Sequence, residues 1–335
     1  MSLDQFAVRR EHLCLPVGSA EPLVSAATLS AAIGPEDVEL FRPLLPVGYA
    51  AGVRAYQLAA AQLTPRQLTT HYTAGLAWFH EQFVPQLKQR LEELSGGVWS
   101  FSNHVAFAAG SDVDFIAHLV TAVAAHDRVT LFPGDWHGFR VGSSQADRIE
   151  WDKTGQGALA CLCVPSVRHG HIDEQQLNFL HQAAACLLNL NLYPTLSPLD
   201  RETTAQDLRE VLPKSVLSIS FSRGFGLTAS QLGVVLVPRT HPYCTRYSQQ
   251  WNWFTYFYNA LAAHAFLEFD LAAAQEVDRI RAQWVQSWLA ERQLPVVTSG
   301  SYYVKSFRVA GELPDYLMPL RRDNLVRLCF KPPQV

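Results

Sequence analysis

Three polar or aromatic residues lie just after an apolar segment of the sequence, separated from it by Pro133 and Gly134. Asp135, Trp136 and His137 come after residues 129–132 (VTLF), which have the composition of a strand. Binding residues of α/β proteins lie at the carboxyl ends of strands, so this turn is a candidate ligand site. The sequence leaves two interpretations of Trp136 open: a ring that stacks on a ligand, or an aromatic of the core or of an interface.

A second candidate is the loop His169-Gly170-His171, which Asp173 follows. Imidazole and carboxylate groups bind metals, but two histidines at i and i+2 in a loop are a weak metal pattern. We therefore favour a surface or helix-entry position for this loop and predict no metal.

The segments that must position these residues alternate between helix-like and strand-like patterns from about residue 76. A helical face is predicted from apolar residues spaced by three and four, namely Phe79, Phe83, Leu87, Leu91 and Leu94. Pro85 predicts that this helix begins or kinks near it, and Gly96 and Gly97 end it. Further helices are predicted at residues 112–125 and 173–185, and strands at residues 129–132, 159–164, 186–193, 215–221 and 232–237.

Apolar strands separated by helix-length segments predict parallel pairing with crossover helices, which is an α/β fold of three layers, α/β/α. Beyond residue 240, a long helical region at about residues 251–292 precedes strand-like residues 302–309 and 325–330. The first 70 residues are Pro-rich and are predicted to be irregular. We predict a large domain at residues 71–239, and a small α+β domain made from residues 1–70 and 240–335 with an interdomain helix.

Composition excludes several classes of function. Charged residues make up 17% of the 335 residues, against roughly 25% in an average soluble domain, which suggests burial in an oligomer. The net charge is -3 and no basic stripe occurs, so a nucleic-acid partner is not expected. Neither a signal peptide nor an apolar run of about 18 residues is found, so we expect a cytoplasmic protein with no membrane partner.

The cysteines have no C-x-x-C spacing and lie mostly in apolar runs, which favours buried thiols in a reducing compartment over a metal or redox site. They are Cys14, Cys161, Cys163, Cys186, Cys244 and Cys329.

The most informative stretch is residues 218–238 (SISFSRGFGLTASQLGVVLVP), a strand, a Ser- and Gly-rich turn, and a second strand closed by proline. It resembles the pyridoxal-phosphate (PLP) lysine segment of fold-type-I aminotransferases of class I/II, whose pattern is S-x-S-K-x-x-G-x-x-x-x-R-x-G. The matching positions are Ser220, Ser222, Gly226 and Gly233. Arg223 stands where the resemblance expects the Schiff-base lysine, and Gln231 where it expects the phosphate-binding arginine.

The resemblance extends from about residue 15 to residue 330. Tyr72, in HYTAG, resembles the tyrosine that reaches the cofactor phosphate of the partner subunit. Ser111 and Asp112, in AAGSDVDF, resemble the turn at a helix start that holds phosphate. Trp136 matches the aromatic that stacks on the pyridine ring, and Arg327, in NLVRLCF, matches the arginine that binds the substrate α-carboxylate.

Two more departures concern the cofactor. The family's N-P-x-N-P-T-G turn corresponds to residues 164–170 (VPSVRHG), which puts Val167 at the asparagine that bonds the pyridoxal hydroxyl. The aspartate that binds the pyridinium nitrogen corresponds to Asn189, Leu190 or Asn191, depending on the alignment. The resemblance therefore implies PLP as cofactor, whereas the residues present favour loss of ordinary PLP chemistry.

The physical consequences of these changes are separate. An arginine keeps its proton to above about pH 12 and does not form a Schiff base. Replacing the phosphate arginine by Gln231 removes a charge-assisted contact worth roughly 1.5–3 kcal/mol. Loss of the carboxylate removes the group that keeps the pyridine nitrogen protonated. Arg223 could instead hold an anion with Ser111, Ser220, Ser222 and Arg327, or it could fill the cavity and pair with an acid such as Asp112.

Three hypotheses of function follow. The first is a homodimeric, aminotransferase-like protein with a degenerate PLP site that binds a small anionic ligand, either amino-acid-like or phosphorylated, without Schiff-base chemistry. The second is a transaminase-type enzyme that uses non-covalently bound PLP or its amine form. The third is a scaffold that partners an active paralogue. An aromatic cluster is predicted to form a dimer interface or a wall of the site, with core packing as the alternative: Trp251, Trp253, Phe254, Tyr256, Phe257 and Tyr258.

Overall fold

The structure is a computed structural model of the chain. It describes residues 23–44, 48–64, 75, 77–109, 112–227, 232–244, 255–295 and 300–331, with side chains omitted at residues 109, 112 and 255–259. The described strands are, in chain order, β1 (Leu23–Ser25), β2 (His104–Ala109), β3 (Val129–Leu131), β4 (Ile149–Trp151), β5 (Leu159–Cys163), β6 (Ala185–Asn189), β7 (Ser215–Ser220), β8 (Gly233–Pro238), β9 (Val304–Ala310), β10 (Arg321–Arg322) and β11 (Leu325–Cys329).

Seven of these strands form a central sheet in the order β2-β8-β7-β6-β5-β3-β4. The pairs from β4 through β7 are parallel, and β8 runs antiparallel to both of its neighbours. Every residue of β5 (LACLC) is buried, as expected for a strand covered on both faces. The prediction of a mixed α/β fold with a mostly parallel central sheet is confirmed.

The other sheet has four strands in the order β1-β9-β11-β10. It joins strands from the two ends of the chain, because β1 pairs parallel with β9 and β11 pairs antiparallel with β9. The division into a large and a small domain at residues 71 and 239 stays a prediction.

Helices connect the strands. They are α1 (Ala26–Ala32), α2 (Val38–Phe41), α3 (Ala50–Gln62), α4 (Val84–Leu94), α5 (Asp112–Ala124), α6 (Gly138–Val141), α7 (Glu174–Gln182), α8 (Pro198–Asp207), α9 (Thr255–Glu268) and α10 (Leu271–Glu291). Within the described residues, no helix combines the length and the apolar composition that crossing a membrane requires.

The predicted amphipathic helix contains a π-helical turn at Phe79–Phe83 and continues as α4, with Pro85 in the first turn of α4. Proline is tolerated there because the first N–H groups of a helix have no partner within it. Phe79, Phe83 and Leu87 are buried, so the predicted face is correct.

Three expectations about local structure are wrong. The first 70 residues are not irregular throughout, since α1, α2 and α3 lie there. The strand expected at residues 186–193 ends at Asn189, and a 3-10 turn follows at Tyr193–Thr195. The helical region at residues 251–292 is two helices, because Asp270 caps a new helix start: its side chain accepts a hydrogen bond from Ala273 N.

The five cysteines within the described residues are buried free thiols, as predicted. Cys14 lies outside the described residues.

Candidate functional site

Four loops meet at one edge of the central sheet. Strands β3, β5, β6 and β7 are parallel, so the turns that follow them lie side by side at the carboxyl edge. Most of the candidate residues of the sequence lie on these turns. This edge is where ligands bind in open α/β sheets.

A chain of hydrogen bonds joins the turns after β6 and β7. The side-chain oxygen of Asn189 accepts from Asn191 N at 3.0 Å, and the side-chain oxygen of Asn191 accepts from Ser220 N at 2.6 Å. The hydroxyls of Ser220 and Ser222 lie 2.9 Å apart. The side-chain oxygens of Asn189 and Asn191 therefore both accept hydrogen bonds from backbone N–H groups, those of Asn191 and Ser220.

Arg223 lies in the turn after β7 and is partly buried. Its Nη1 donates to the carbonyl oxygen of Leu44 at 2.9 Å, and its charge acts on Tyr303. Within the described residues, Arg223 has no carboxylate at ion-pair distance; the side chain of Asp112, the predicted alternative partner, is outside the described set.

The turn after β3 is tied to the turn after β5 by Asp135. Its buried carboxylate accepts from Trp136 N at 2.5 Å, Cys163 N at 3.3 Å and Ser166 Oγ at 3.2 Å. Burial raises the pKa of Asp135 to about 6 despite these hydrogen bonds.

Trp136 is half-buried, and its ring contacts Phe139 edge-on at 5.1 Å between centroids. The ring also lies on the backbone of Gly138, where a Cβ atom would overlap ring atoms Cε2 and Cζ2. The Trp136 ring can therefore pack against the backbone at residue 138 only because that residue is glycine.

Arg168 is the centre of a buried ionic network that joins the turn after β5 to the β10–β11 turn. Its guanidinium lies 3.4 Å from Asp173 and 3.5 Å from Asp323, and it donates to Asn324 Oδ1 at 2.5 Å. Ser306 of β9 donates to the Arg168 carbonyl oxygen at 2.5 Å. The network holds the four-stranded sheet against the carboxyl edge of the seven-stranded one.

His169 and His171 stack with ring centroids 3.9 Å apart, and His169 bonds Asp173 at 3.1 Å. His169 is buried rather than at the surface, and Asp173 caps helix α7, so only the helix-entry part of that expectation is correct. Among the described residues, no group of three or more His, Cys, Asp or Glu side chains lies together as a metal site.

Arg327, on β11, is buried and reaches the loop after β5. Its Nη1 donates to the Val167 carbonyl oxygen at 2.7 Å, and its Nη2 lies 3.4 Å from the Arg42 carbonyl oxygen. Its Nε has no hydrogen-bond partner within the described residues. Arg223 and Arg327 therefore donate to two carbonyls of one segment, residues 42–44.

Two more cationic side chains, those of Arg322 and Arg42, lie near Arg327. Burial lowers the pKa of Arg322 to about 9, and the charges of Arg327 and Arg42 contribute to this shift. The pKa of His137 is lowered by burial and by the charges of Arg322 and Arg327. In the part of the chain that the structure describes, neither Arg322 nor Arg327 has a carboxylate at ion-pair distance, so positive charge accumulates beside the turn after β3.

The described residues include part of the site predicted from the sequence. Tyr72, Ser111 and Gln231 lie outside the described residues, as do Trp251, Trp253 and Phe254. Asp112 begins helix α5, and Tyr256, Phe257 and Tyr258 belong to α9, without described side chains. The sequence did not single out Arg42, Arg168 or Arg322; the Arg321-Arg322 pair, in the strand that precedes that of Arg327, was the available signal.

The chain has the fold of the PLP-dependent aminotransferases of fold type I. Solved structures with this fold superpose on nearly all of it, but at identities that show the fold alone. The histidinol-phosphate aminotransferase from Clostridium acetobutylicum is 8% identical with a TM-score of 0.57, covering 87% of this chain and 94% of its own. The histidinol-phosphate aminotransferase from Sinorhizobium meliloti, solved with pyridoxal-5'-phosphate, is 14% identical with a TM-score of 0.56, covering 90% of each chain.

A third similar structure is the L-threonine-O-3-phosphate decarboxylase from Porphyromonas gingivalis. It is 13% identical with a TM-score of 0.54, covering 88% of this chain and 94% of its own. No family model matches the sequence, and no curated protein sequence matches it.

Proposed function

We propose that this protein binds a small anionic ligand, amino-acid-like or phosphorylated, at the carboxyl edge of the central sheet without forming a Schiff base there. The observation that carries the proposal is the buried guanidinium of Arg327. It has an N–H group without a partner and no carboxylate at ion-pair distance among the described residues, and it lies beside Arg322. Buried cations are normally paired, so an anion that enters this space is stabilised.

The residues present do not fit the PLP chemistry that the fold suggests. The group at the position expected for the lysine is the guanidinium of Arg223, which bonds the Leu44 carbonyl oxygen. At the end of β6, the side-chain oxygens of Asn189 and Asn191 accept from backbone N–H groups. An asparagine there does not supply the negative charge that keeps a pyridine nitrogen protonated. We therefore derive no reaction step through PLP.

The chemistry of the ligand follows from the donors. Guanidinium groups bind carboxylates and phosphates through paired N–H groups, and the hydroxyls of Ser220 and Ser222 add neutral donors. The three similar structures described above carry phosphorylated compounds in their names, histidinol phosphate in two of them and threonine O-3-phosphate in the third. These names favour phosphate as the group recognised, whereas the guanidinium donors accept a phosphate or a carboxylate.

Binding must compete with bonds already made by the protein. Arg327 donates to Val167 O at 2.7 Å, whereas its contact with Arg42 O is long, at 3.4 Å. We infer that an anion takes the place of the weaker contact and uses the unpartnered Nε. The segment at residues 42–44 then has to move away from Arg327.

The test is thermal stabilisation by phosphate and by amino acids. A ligand at 100 times its Kd adds about 2.7 kcal/mol to the free energy of unfolding. We expect the melting temperature to rise with ligand concentration in the wild-type protein and not in Arg327→Gln. Arg128→Gln is the matched control, because it removes the same charge from an exposed ion pair with Glu150 and Asp152.

A second measurement separates this proposal from the enzyme hypothesis. The protein is mixed with PLP, freed of excess by gel filtration, and its visible spectrum is recorded before and after an amino acid is added. We expect no stoichiometric chromophore. A band retained at one equivalent per chain that shifts with the amino acid contradicts the proposal, as does an unchanged melting response in Arg327→Gln.

A further inference from the structure

A second cavity lies outside the candidate site, between helix α10, the start of α8 and strand β9. Its volume is about 540 Å³, within the range of small-molecule sites. Its wall includes Ser197, Asp200, Gln286, Tyr302 and Lys305.

The alternation of side chains along β9 separates this cavity from the carboxyl-edge site. Successive residues of a strand point to opposite faces. Ser306 pairs in register with Arg327 and donates to the Arg168 carbonyl oxygen, so it faces the carboxyl-edge site. Lys305 pairs with Leu328 and lines the second cavity. The two sites thus use opposite faces of the same sheet.

Lys305 is buried in this wall, with 6% of the residue's surface exposed. Within the described residues, no hydrogen bond or ion pair engages its ammonium group. Burial lowers the pKa of Lys305 to about 8, and the charge of Asp200 opposes this shift. At pH 7, about one-tenth of such an amine is unprotonated, against roughly one in 3,000 for a lysine of pKa 10.5.

The other charged groups of the cavity have partners of their own. Arg279 and Glu276 pair with each other at 2.6 Å. Asp278 accepts from the Tyr49 hydroxyl at 2.7 Å, and Arg201 donates to backbone carbonyl oxygens, among them that of Leu196 at 2.6 Å. Asp200 accepts from the Ser197 hydroxyl at 2.6 Å. Lys305 is therefore the charged group of the wall that, among the described residues, makes no hydrogen bond or ion pair.

The other lysines of the chain are placed differently, and the sequence has only five. Lys88 donates to Phe101 O and His104 O, and Lys214 donates to His181 O and Ala183 O. Lys153 lies 3.7 Å from Asp323, and Lys331 is exposed at the end of the described chain. Lys305 is the lysine that combines burial with a cavity.

We propose that Lys305 is the nucleophilic amine of a second ligand site, which takes small polar carbonyl compounds as imines. The unprotonated amine adds to the carbonyl carbon, a C–N bond forms, and a proton passes from nitrogen to oxygen. The resulting carbinolamine loses its hydroxyl and the remaining N–H proton as water and leaves a C=N bond, so no oxidant or reductant takes part. We assign the proton relay to the Asp200 carboxylate, which lines the same cavity and whose charge acts on Lys305. The proposal does not rest on anion binding at the carboxyl edge.

The experiment is reductive trapping with glycolaldehyde. Folded protein is incubated with the aldehyde and sodium cyanoborohydride, which reduces an imine to a stable secondary amine, and the adducts are mapped by peptide mass spectrometry. At pH 7 we expect Lys305 to be labelled at least about 10-fold faster than Lys331, with a rate that saturates as the aldehyde concentration rises. The amino-terminal amine, with an ordinary pKa near 8, is mapped separately.

Two controls test whether the fold creates this reactivity. In guanidinium chloride, the preference for Lys305 is expected to disappear, because unfolding removes both the burial and the cavity. Lys305→Arg is expected to lose the fast adduct, Lys331→Arg to keep it, and Arg327→Gln to keep it as well. The last variant makes failure here distinguishable from failure of the anion site.

Three results overturn the proposal: native labelling of Lys305 no faster than that of Lys331, a preference that persists in denaturant, or a rate that stays linear in aldehyde concentration. If Lys305→Arg does not fold, the comparison of native and denatured wild-type protein still decides the matter. We also expect the ratio of Lys305 to Lys331 labelling to shrink as the pH rises from 7 to 10, because the exposed amine then loses its proton too.

Discussion

At the scale of single residues, the hydrogen bonds and the burial of His169 fix which ring nitrogen carries its proton and keep the ring neutral. Its Nδ1 accepts from His171 N at 3.3 Å, so its Nε2 carries the proton and donates to Asp173. Burial, together with the neighbouring His171 and Arg168, lowers the pKa of His169 to about 3. The native protein therefore keeps this ring neutral.

This pKa makes stability depend on pH. An unfolded histidine takes up a proton below about pH 6.5, whereas His169 in the native state does not until about pH 3. The unfolded state binds more protons in this window, so stability falls as the pH falls. From pH 7 to pH 5, His169 alone lowers the free energy of unfolding by about 2 kcal/mol.

Urea unfolding of wild type and His169→Gln at the two pH values measures this effect. Glutamine keeps an N–H donor for Asp173 and does not titrate, so the variant is expected to lose about 2 kcal/mol less than the wild type between pH 7 and pH 5. His181→Gln, on the exposed side of α7, is the matched change and leaves the wild-type difference in place. Equal pH dependence in wild type and His169→Gln contradicts a buried neutral ring.

Gly138 is the other residue on which the local geometry depends. An alanine there favours the helix α6 that Gly138 begins, but its Cβ overlaps the Trp136 ring. We expect Gly138→Ala to lower the free energy of unfolding by about 1–3 kcal/mol, since the clash outweighs helix propensity. Gly48→Ala is the control, with no atom within 4 Å of its Cβ. Equal chemical denaturation midpoints for the two variants are incompatible with the placement of Trp136.

At the scale of elements, long periodic or apolar segments were predictable and short ones were not. β5 and β7 are continuous apolar runs, and the face of α4 repeats every three or four residues. β10 has two residues, which carry no periodicity, and its strand character comes from pairing with β11. β6 ends at Asn189, where Asn191 N donates to the Asn189 side chain and the Asn191 side chain accepts from Ser220 N. The apolar composition of residues 186–193 did not predict this strand end.

The candidate site divides in the same way. Ser220, Ser222, Arg223 and Arg327 were found because each lies on a local motif at the end of, or within, a strand. Arg168 was not, since its partner Asp323 is 155 residues further along the chain and only the packing of the two sheets brings them together. Contacts of this range leave no local pattern in the sequence.

The first turn of helix α7 is held both by a helix cap and by ion pairs, and Asp173 supplies both. Asp173 caps the helix by accepting from Gln176 N at 2.8 Å, and it also pairs with Arg168 and His169. Asp173→Ala removes a cap worth about 1 kcal/mol and leaves buried donors without a partner, at a further cost of about 1–3 kcal/mol. We expect a total loss of about 3 kcal/mol in chemical denaturation.

Ser197 provides the comparison, because it caps α8 by accepting from Asp200 N and is exposed. Ser197→Ala should cost about 1 kcal/mol. Asp173→Ser, which restores a cap but no charge, should fall between the two. If Asp173→Ala costs no more than Ser197→Ala, the ion pairs of Asp173 with Arg168 and His169 contribute nothing to stability.

At the scale of the whole molecule, two sheets meet where the positive charges collect. Arg327 comes from the four-stranded sheet and bonds the loop after β5 of the seven-stranded sheet, and Arg168 makes the reverse connection to Asp323. Ligand binding at Arg327 therefore acts on the contact between the sheets. If Arg327 keeps its hydrogen bond to Val167 O when an anion binds, the anion strengthens the contact between the sheets. If that hydrogen bond breaks, the contact is weakened.

The low share of charged residues bears on how the chains assemble. The chain has 17% charged residues, against roughly 25% in an average soluble domain, and apolar residues such as Leu199, Val53 and Val141 are more than half exposed. Burial of surface between two copies offsets this deficit, and the aminotransferase resemblance implies a homodimer. We expect sedimentation equilibrium at micromolar concentration to give twice the chain mass of 37.4 kDa. A single species at the chain mass under those conditions contradicts the dimer, and it also removes the neighbouring subunit through which Tyr72 was expected to complete the site.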